Sequence, residues 1–363
     1  MKYGAVIATV IAVVLIAIVA YFALQQPAAP TPTPTASPSP STTPTPTQTP
    51  TTTPQMRYTV IIATGGVGGV YYYYGGVVAG ILKNFTNIDA SSIQTAASID
   101  NLLLIRDKTD PGRGLYYCAT VLPDSAYLAY TGQHDKFKDK PAPIAILWAM
   151  YPNYLHIVTR SDSGIKTIYD LKGKRVSTGA PGSGTEVEAL LLLQVLGIDP
   201  AKDFAKWERL GAAESANALR DGTIDAYFWS GGLPTSSVVE LAAALKQRGV
   251  SLVLIEVPDE VITQFSAKFP GLASKSVIPK TVYGTEKDVQ TLTFWNMFVC
   301  HKDMPEDLAY QITKAVFDRL DILQKSVAAA RDTNLQNALL YYGGTIPYHP
   351  GALRYYREKG VLK

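Results

Sequence analysis

The chain has 363 residues, with 33 Lys plus Arg against 30 Asp plus Glu and a net charge of +3. A balance this even, with no Lys/Arg-rich run, excludes the basic footprint of a nucleic-acid binder. Two cysteines, Cys118 and Cys300, cannot build a disulfide scaffold or a four-cysteine zinc site.

In chain order, Gly4 to Leu24 gives 21 residues without a charge. A helix needs about 20 apolar residues to cross a bilayer, so residues 1–24 read as a transmembrane anchor. The rival is a cleaved signal peptide, whose apolar core is usually about 7–15 residues. Residues 25–55 follow as a Pro/Thr/Ser-rich linker, and Gln26 to Gln55 holds 10 of the 24 prolines and no charge. Such a segment cannot bury enough apolar surface to fold, and its prolines keep it extended. Either reading exports the body, residues 56–363, to the extracytoplasmic face of a cell membrane.

In the body, Tyr58 to Ala63 reads as a strand, Thr64 to Val70 as a glycine loop and Val77 to Leu82 as part of a helix. Leu115 to Val121, Ile144 to Trp148, Tyr154 to Thr159 and Arg175 to Thr178 read as strands. Thr185 to Leu196 reads as a helix stopped by Gly197. Ile224 to Trp229 and Ser251 to Val257 read as strands, with a helix over Val238 to Gln247 between them. Thr291 to Cys300 is β-rich, and Pro305 to Val327 reads as one long helix. Strands alternating with helices predict an α/β fold with mainly parallel sheet.

The first glycine loop, Thr64-Gly65-Gly66-Val67-Gly68-Gly69-Val70, stands between a strand and a helix. Glycines let backbone N–H groups approach a ligand, and the helix N-terminus adds partial positive charge. A dinucleotide fingerprint fails, because Tyr71 stands where the third glycine belongs. A phosphate-binding lysine loop fails too, because no lysine lies between Arg57 and Lys83. A second loop, Ser177 to Glu186, has the same strand-to-helix setting, and ligands of open α/β sheets sit at that edge. The candidate ligand residues are Thr64, Gly65, Gly66, Val67, Gly68, Gly69 and Tyr71 from the first loop and Ser183, Gly184 and Thr185 from the second. Asp124 is either a ligand group or a helix cap, and Trp229 either a cleft wall or a core residue. His134, His156, His301 and His349 lack metal spacing, and no nucleophile elbow exists. The chain therefore reads as a non-enzyme without cofactor or metal.

Taken together, Ala63 to Tyr72, Tyr151 to Gly164, Asp170 to Glu186, Leu219 to Phe228, Met304 to Leu308 and His349 to Tyr356 resemble the TAXI-type solute receptors of TRAP transporters. The resemblance runs in order over nearly all of residues 57–363. It implies a two-lobed, type II-like periplasmic-binding-protein fold with hinge strands. Lobe one would take residues 57–147 plus the C-terminal helices, and lobe two residues 148–300. It also implies a monomeric receptor that hands a small polar or anionic organic solute, such as an amino acid or organic acid, to an ion-driven permease. A tethered sensor without a transporter is the alternative. One departure is Leu122-Pro123-Asp124, where the family often has Gln-Ser. By the family layout Cys118 falls on a lobe-one strand and Cys300 on a strand of the hinge or lobe two. Both have apolar neighbours, so two reduced, buried thiols are expected.

Overall fold

The computed structural model describes residues 58–363; the expected anchor and linker lie outside the described residues. Ten strands form the sheet: β1 Thr59–Ala63, β2 Asp89–Ile93, β3 Leu115–Val121, β4 Ile144–Arg160, β5 Arg175–Ser177, β6 Lys206–Glu208, β7 Ala226–Gly231, β8 Leu252–Leu254, β9 Ser274–Ile278 and β10 Val289–His301. Their order is β2-β1-β3-β10-β4-β7-β5-β6, with β8 on β4 and β9 on β10. In the first half β1 lies parallel to β2 and β3. In the second half β5 lies parallel to β6 and β7. The two long strands β4 and β10 pass from one half to the other, antiparallel to each other.

The apolar residues divide the same way. One core runs from Val60 to Tyr151 and resumes at Met297 to Tyr356. Two smaller cores flank the second half, built from residues between Leu155 and Phe294. Leu122 is the exception: it comes from the first half yet is buried in a core of the second.

The helices that matter below are α1 Val70–Phe85, α2 Ser98–Lys108, α3 Pro123–Tyr130, α4 Gly184–Val195, α5 Ala212–Arg220, α6 Ser236–Gln247, α7 Asp259–Lys268, α8 Glu306–Phe317, α9 Leu320–Ser326 and α10 Pro350–Glu358. In α1 the buried residues Val70, Tyr71, Tyr74, Val78, Ile81 and Leu82 recur at three- and four-residue spacing, so one face meets the sheet. Gly75 makes that approach possible, since a Cβ there would overlap the Thr64 methyl and lie 3.3 Å from Ile62 Cγ2.

Four expectations are corrected. The sheet is not mainly parallel, because β4 and β10 pair antiparallel with each other and with β3, β7, β8 and β9. The strands expected at Ile144–Trp148 and Tyr154–Thr159 are one strand, β4, running through Pro152. Proline gives no ladder N–H and is tolerated at bulges; Pro152 faces Trp295 beside a register shift in β10. The single helix expected over Pro305–Val327 is two, α8 and α9, because Asp318 caps the first and Arg319 leaves helical geometry. The cysteines are not reduced. The far end of β10 returns to the first half and places Cys300 directly opposite Cys118 on β3. Their Cα atoms are 4.0 Å apart and the sulfurs are joined in a disulfide. Among the described residues no helix is long and apolar enough to cross a membrane.

Candidate ligand-binding site

A cavity of about 480 Å³ lies between the two halves. Four helix starts converge on it: Gly69 to Tyr71 of α1, Ala97 and Ser98 of α2, Ser183 to Thr185 of α4, and Gly211 and Ala212 of α5. The first amides of a helix have no partner within it and carry the positive end of its dipole. The N–H groups of Tyr71, Gly184, Thr185 and Ala212 make no hydrogen bond among the described residues. Tyr71, Tyr151 and Trp229 supply aromatic wall and Leu122 apolar wall, while Glu214 is the one charged side chain in the lining among the described residues. No Lys, Arg or His among the described residues lines the cavity. Any negative charge on a ligand would therefore be met by backbone amides, the arrangement that suits an anion at helix N-termini.

Local bonding holds the walls. The Ser183 hydroxyl accepts from Glu186 N–H at 3.0 Å, which caps α4 and leaves the two amides before it free. Ser230 N–H donates to Thr185 Oγ1 at 3.2 Å. The Tyr71 hydroxyl donates to Asn296 Oδ1 on β10. Asn296 in turn donates to Tyr151 O at 2.8 Å and Asn153 Oδ1 at 2.9 Å on β4. Tyr71 is thus locked to both strands that join the halves. The Trp229 indole N–H donates to Thr235 Oγ1 at 3.0 Å, which fixes its ring against the cavity.

Two reciprocal clasps tie the halves together beside the cavity. The Gly182 carbonyl of the second half accepts from Ile99 and Asp100 N–H, at 3.1 and 3.3 Å, at the start of α2. The Gly68 carbonyl of the first half accepts from Ser236 Oγ at 3.1 Å and Ser237 N–H at 3.4 Å, at the start of α6. Both glycines have left-handed φ, 85° at Gly68 and 82° at Gly182, so side chains are disfavoured there.

Eight of the twelve sequence-expected residues line the cavity: Gly65, Gly66, Gly69, Tyr71, Ser183, Gly184, Thr185 and Trp229. Four do not. Thr64 sits behind the loop and spends its hydroxyl on Ile93 O at 2.7 Å. Val67 is exposed on an outer groove, and Gly68 serves the clasp. Asp124 is fully buried behind the wall, as the second residue of α3 and not as its cap. Sequence reasoning missed Ala97, Ser98, Tyr151, Asn153, Gly211 and Ala212. Gly211 ahead of Ala-Ala-Glu carried a helix-start signal. Ala97 carried none, because it adopts φ 95° without being glycine or asparagine.

Behind Tyr71 and Tyr151 lies an acidic pair, Asp124 of α3 and Glu188 of α4, both fully buried. Asp124 Oδ1 accepts from Ser125 N–H at 2.5 Å. Asp124 Oδ2 and both Glu188 oxygens have no hydrogen-bond partner among the described residues; the Ser230 hydroxyl lies near Glu188 without reaching bonding geometry. Loss of hydration raises the Asp124 pKa to about 7. Loss of hydration, reinforced by the Asp124 charge, raises Glu188 well above the carboxylate range. His156 is buried and its pKa falls to about 4 for the same reason; Nδ1–H donates to Tyr154 O at 2.7 Å and Nε2 accepts from the Tyr283 hydroxyl at 3.0 Å.

The NMT1-like family pattern matches residues 62–360, most of the chain. The chain belongs to the NMT1-like family. The match begins at Ile62, inside β1, and runs through α10, taking in both glycine loops. The sheet order, doubled across two crossing strands, is that of a type II-like periplasmic-binding-protein fold. Solved structures similar to this NMT1-like chain include the binding component of a phosphonate transporter from Pseudomonas aeruginosa, at 11% identity and TM-score 0.49, covering 75% of this chain and 79% of that one. A malate-bound protein from Rhodopseudomonas palustris has 15% identity and TM-score 0.48, with coverage of 85% and 98%. The periplasmic aliphatic sulphonate-binding protein of Escherichia coli has 14% identity and TM-score 0.41, with 83% of each chain covered.

Proposed function

We propose that this protein is an extracytoplasmic solute receptor that closes two lobes around one small anionic organic solute. The observation that carries the reading is the convergence of four helix N-termini, two from each half, on one cavity of about 480 Å³ whose lining residues Tyr71, Gly184, Thr185 and Ala212 keep amides unpaired among the described residues. A carboxylate or similar oxyanion satisfies those amides without any basic side chain. Tyr71, Tyr151 and Trp229 then cover the organic part. The strands β4 and β10 are the hinge, since among the described residues they alone carry the chain between the two cores in long continuous runs. The protein binds and releases; it carries out no chemistry.

The TAXI-type reading of the loops makes the recipient an ion-driven TRAP permease. The apolar run at Gly4–Leu24 and the proline-rich linker tether the receptor near that permease, which raises effective concentration without new contacts. Native mass spectrometry of the protein purified from its own cells tests the reading. One acidic organic molecule per chain is expected. A bound cationic or uncharged molecule would overturn it.

A further inference from the structure

The Asp124–Glu188 pair serves neither the cavity lining nor the clasps. The two side chains come from opposite halves: Asp124 stands at the start of α3 and Glu188 in the second turn of α4, and these helices touch across the junction. Leu122 and Gly184, the neighbours of the pair toward the cavity, are already in contact across that junction. Both carboxyls are fully buried, and three of their four oxygens have no hydrogen-bond partner among the described residues.

The titratable groups facing the pair are Tyr71 from α1 and Tyr341 from the loop before α10, both hydroxyls shifted upward and therefore neutral. None of the groups acting on either carboxyl is a cation. Two unpaired carboxylates cannot both be charged in such a place, because desolvation and mutual repulsion both oppose the second charge. Opening the hinge removes the problem, since water then reaches both groups.

We propose that Asp124 and Glu188 form a proton-binding site that exists only when the two lobes are closed, so that closure takes up a proton. The proposal rests on the hinged reading above. No bond is made or broken beyond this: a proton from solvent passes to a carboxylate oxygen on closing and returns to solvent on opening. The sign follows from the direction of the shifts. Both carboxyls hold protons more tightly in the closed form than in the open, hydrated one. Closed population is therefore highest at low pH and falls as pH rises from the ordinary carboxylate range through the raised values of the closed pair. One proton taken up corresponds to about a tenfold change in the closing equilibrium per pH unit. A receptor of this kind would hold solute in acidic surroundings and release it more readily in alkaline ones.

The test is a distance measurement across the cleft in the full chain, with no ligand added. Spin labels on Asp139→Cys and Ala205→Cys, both exposed and on opposite halves, report opening by pulsed electron resonance. The native cysteines are bonded to each other and take no label. The expected result is two distances, with the shorter gaining weight at least tenfold between pH 8 and pH 5. In Asp124→Asn/Glu188→Gln, which keeps shape and removes both titrations, the weights should not change with pH. Two distances whose weights ignore pH in the native protein overturn the proton site and leave the hinge standing. Equal pH dependence in the double variant also overturns it. A single fixed distance at every pH overturns the hinge and the proposal with it.

Discussion

Gly184→Val is the most searching single substitution, because Gly184 lies where the halves meet. A Cβ at Gly184 would overlap Leu122 Cδ1 and lie 2.6 Å from Ser98 Oγ, both on the opposite half. Neither atom can step aside cheaply. Leu122 is 2% exposed and plugged into the core of the second half. Ser98 Oγ is held by Leu122 N–H at 3.0 Å. Valine therefore forces the lobes apart and lifts Leu122 out of the second half's core, leaving the remainder of each core packed. Opening withdraws Leu122 from its pocket, worth about 1.5–3 kcal/mol for a fully buried leucine. It also breaks the two Gly182 clasp bonds, each worth about 0.5–1.5 kcal/mol. A loss of about 3 kcal/mol of closure is a conservative reading, and it weakens binding roughly 100-fold. Isothermal calorimetry with the co-purified solute measures it. Circular dichroism and the melting temperature of the solute-free protein should stay near native, since the open form has no clash. A folded variant with native affinity would refute the claim that α4 closes onto the first half.

Trp229→Ala should weaken solute binding about tenfold or more through loss of an aromatic wall, measured by the same calorimetry with melting temperature as the control. His156 is held neutral, with its pKa depressed to about 4. Its contribution is intact above the ordinary histidine range and is lost as pH falls from about 6.5 toward 4, costing at most about 3 kcal/mol; urea midpoints against pH should show this acid step, and His156→Gln should lack it. Cys118 and Cys300 close a loop across 182 residues. Reduction should cost about 2–5 kcal/mol of stability, and thiol titration of the denatured, unreduced protein should find no free thiol.

Much of this architecture is legible in the sequence wherever a strand ends in glycine. Both glycine loops and the helices after them stand where their small residues place them, because only such residues permit a tight strand-to-helix turn at the sheet edge. The continuity of β4 is hidden by Pro152, which reads as a break but sits at a bulge opposite Trp295. β2 was hidden by its polarity: Asp-Ala-Ser-Ser-Ile is an edge strand with one buried residue and no alternation to detect. The Ala97 turn was hidden because an alanine holds a backbone angle normally left to glycine. The disulfide depends on the register of β10 against β3, 182 residues apart, which local pattern does not encode. Asp124 reads as a cap or a ligand group; its partner Glu188 lies inside an ordinary-looking helix, and only the packing of α4 against α3 brings them together.

The central claim is tested most directly by a crystal structure of the protein with its co-purified solute. The account predicts one acidic organic molecule between Gly65–Tyr71 and Ser183–Thr185, its oxyanion within hydrogen-bond distance of the free amides of Gly184 and Thr185 and its organic part against Tyr71 and Trp229. A solute seated outside this cavity, or one that turns a cationic group toward those amides, would contradict it.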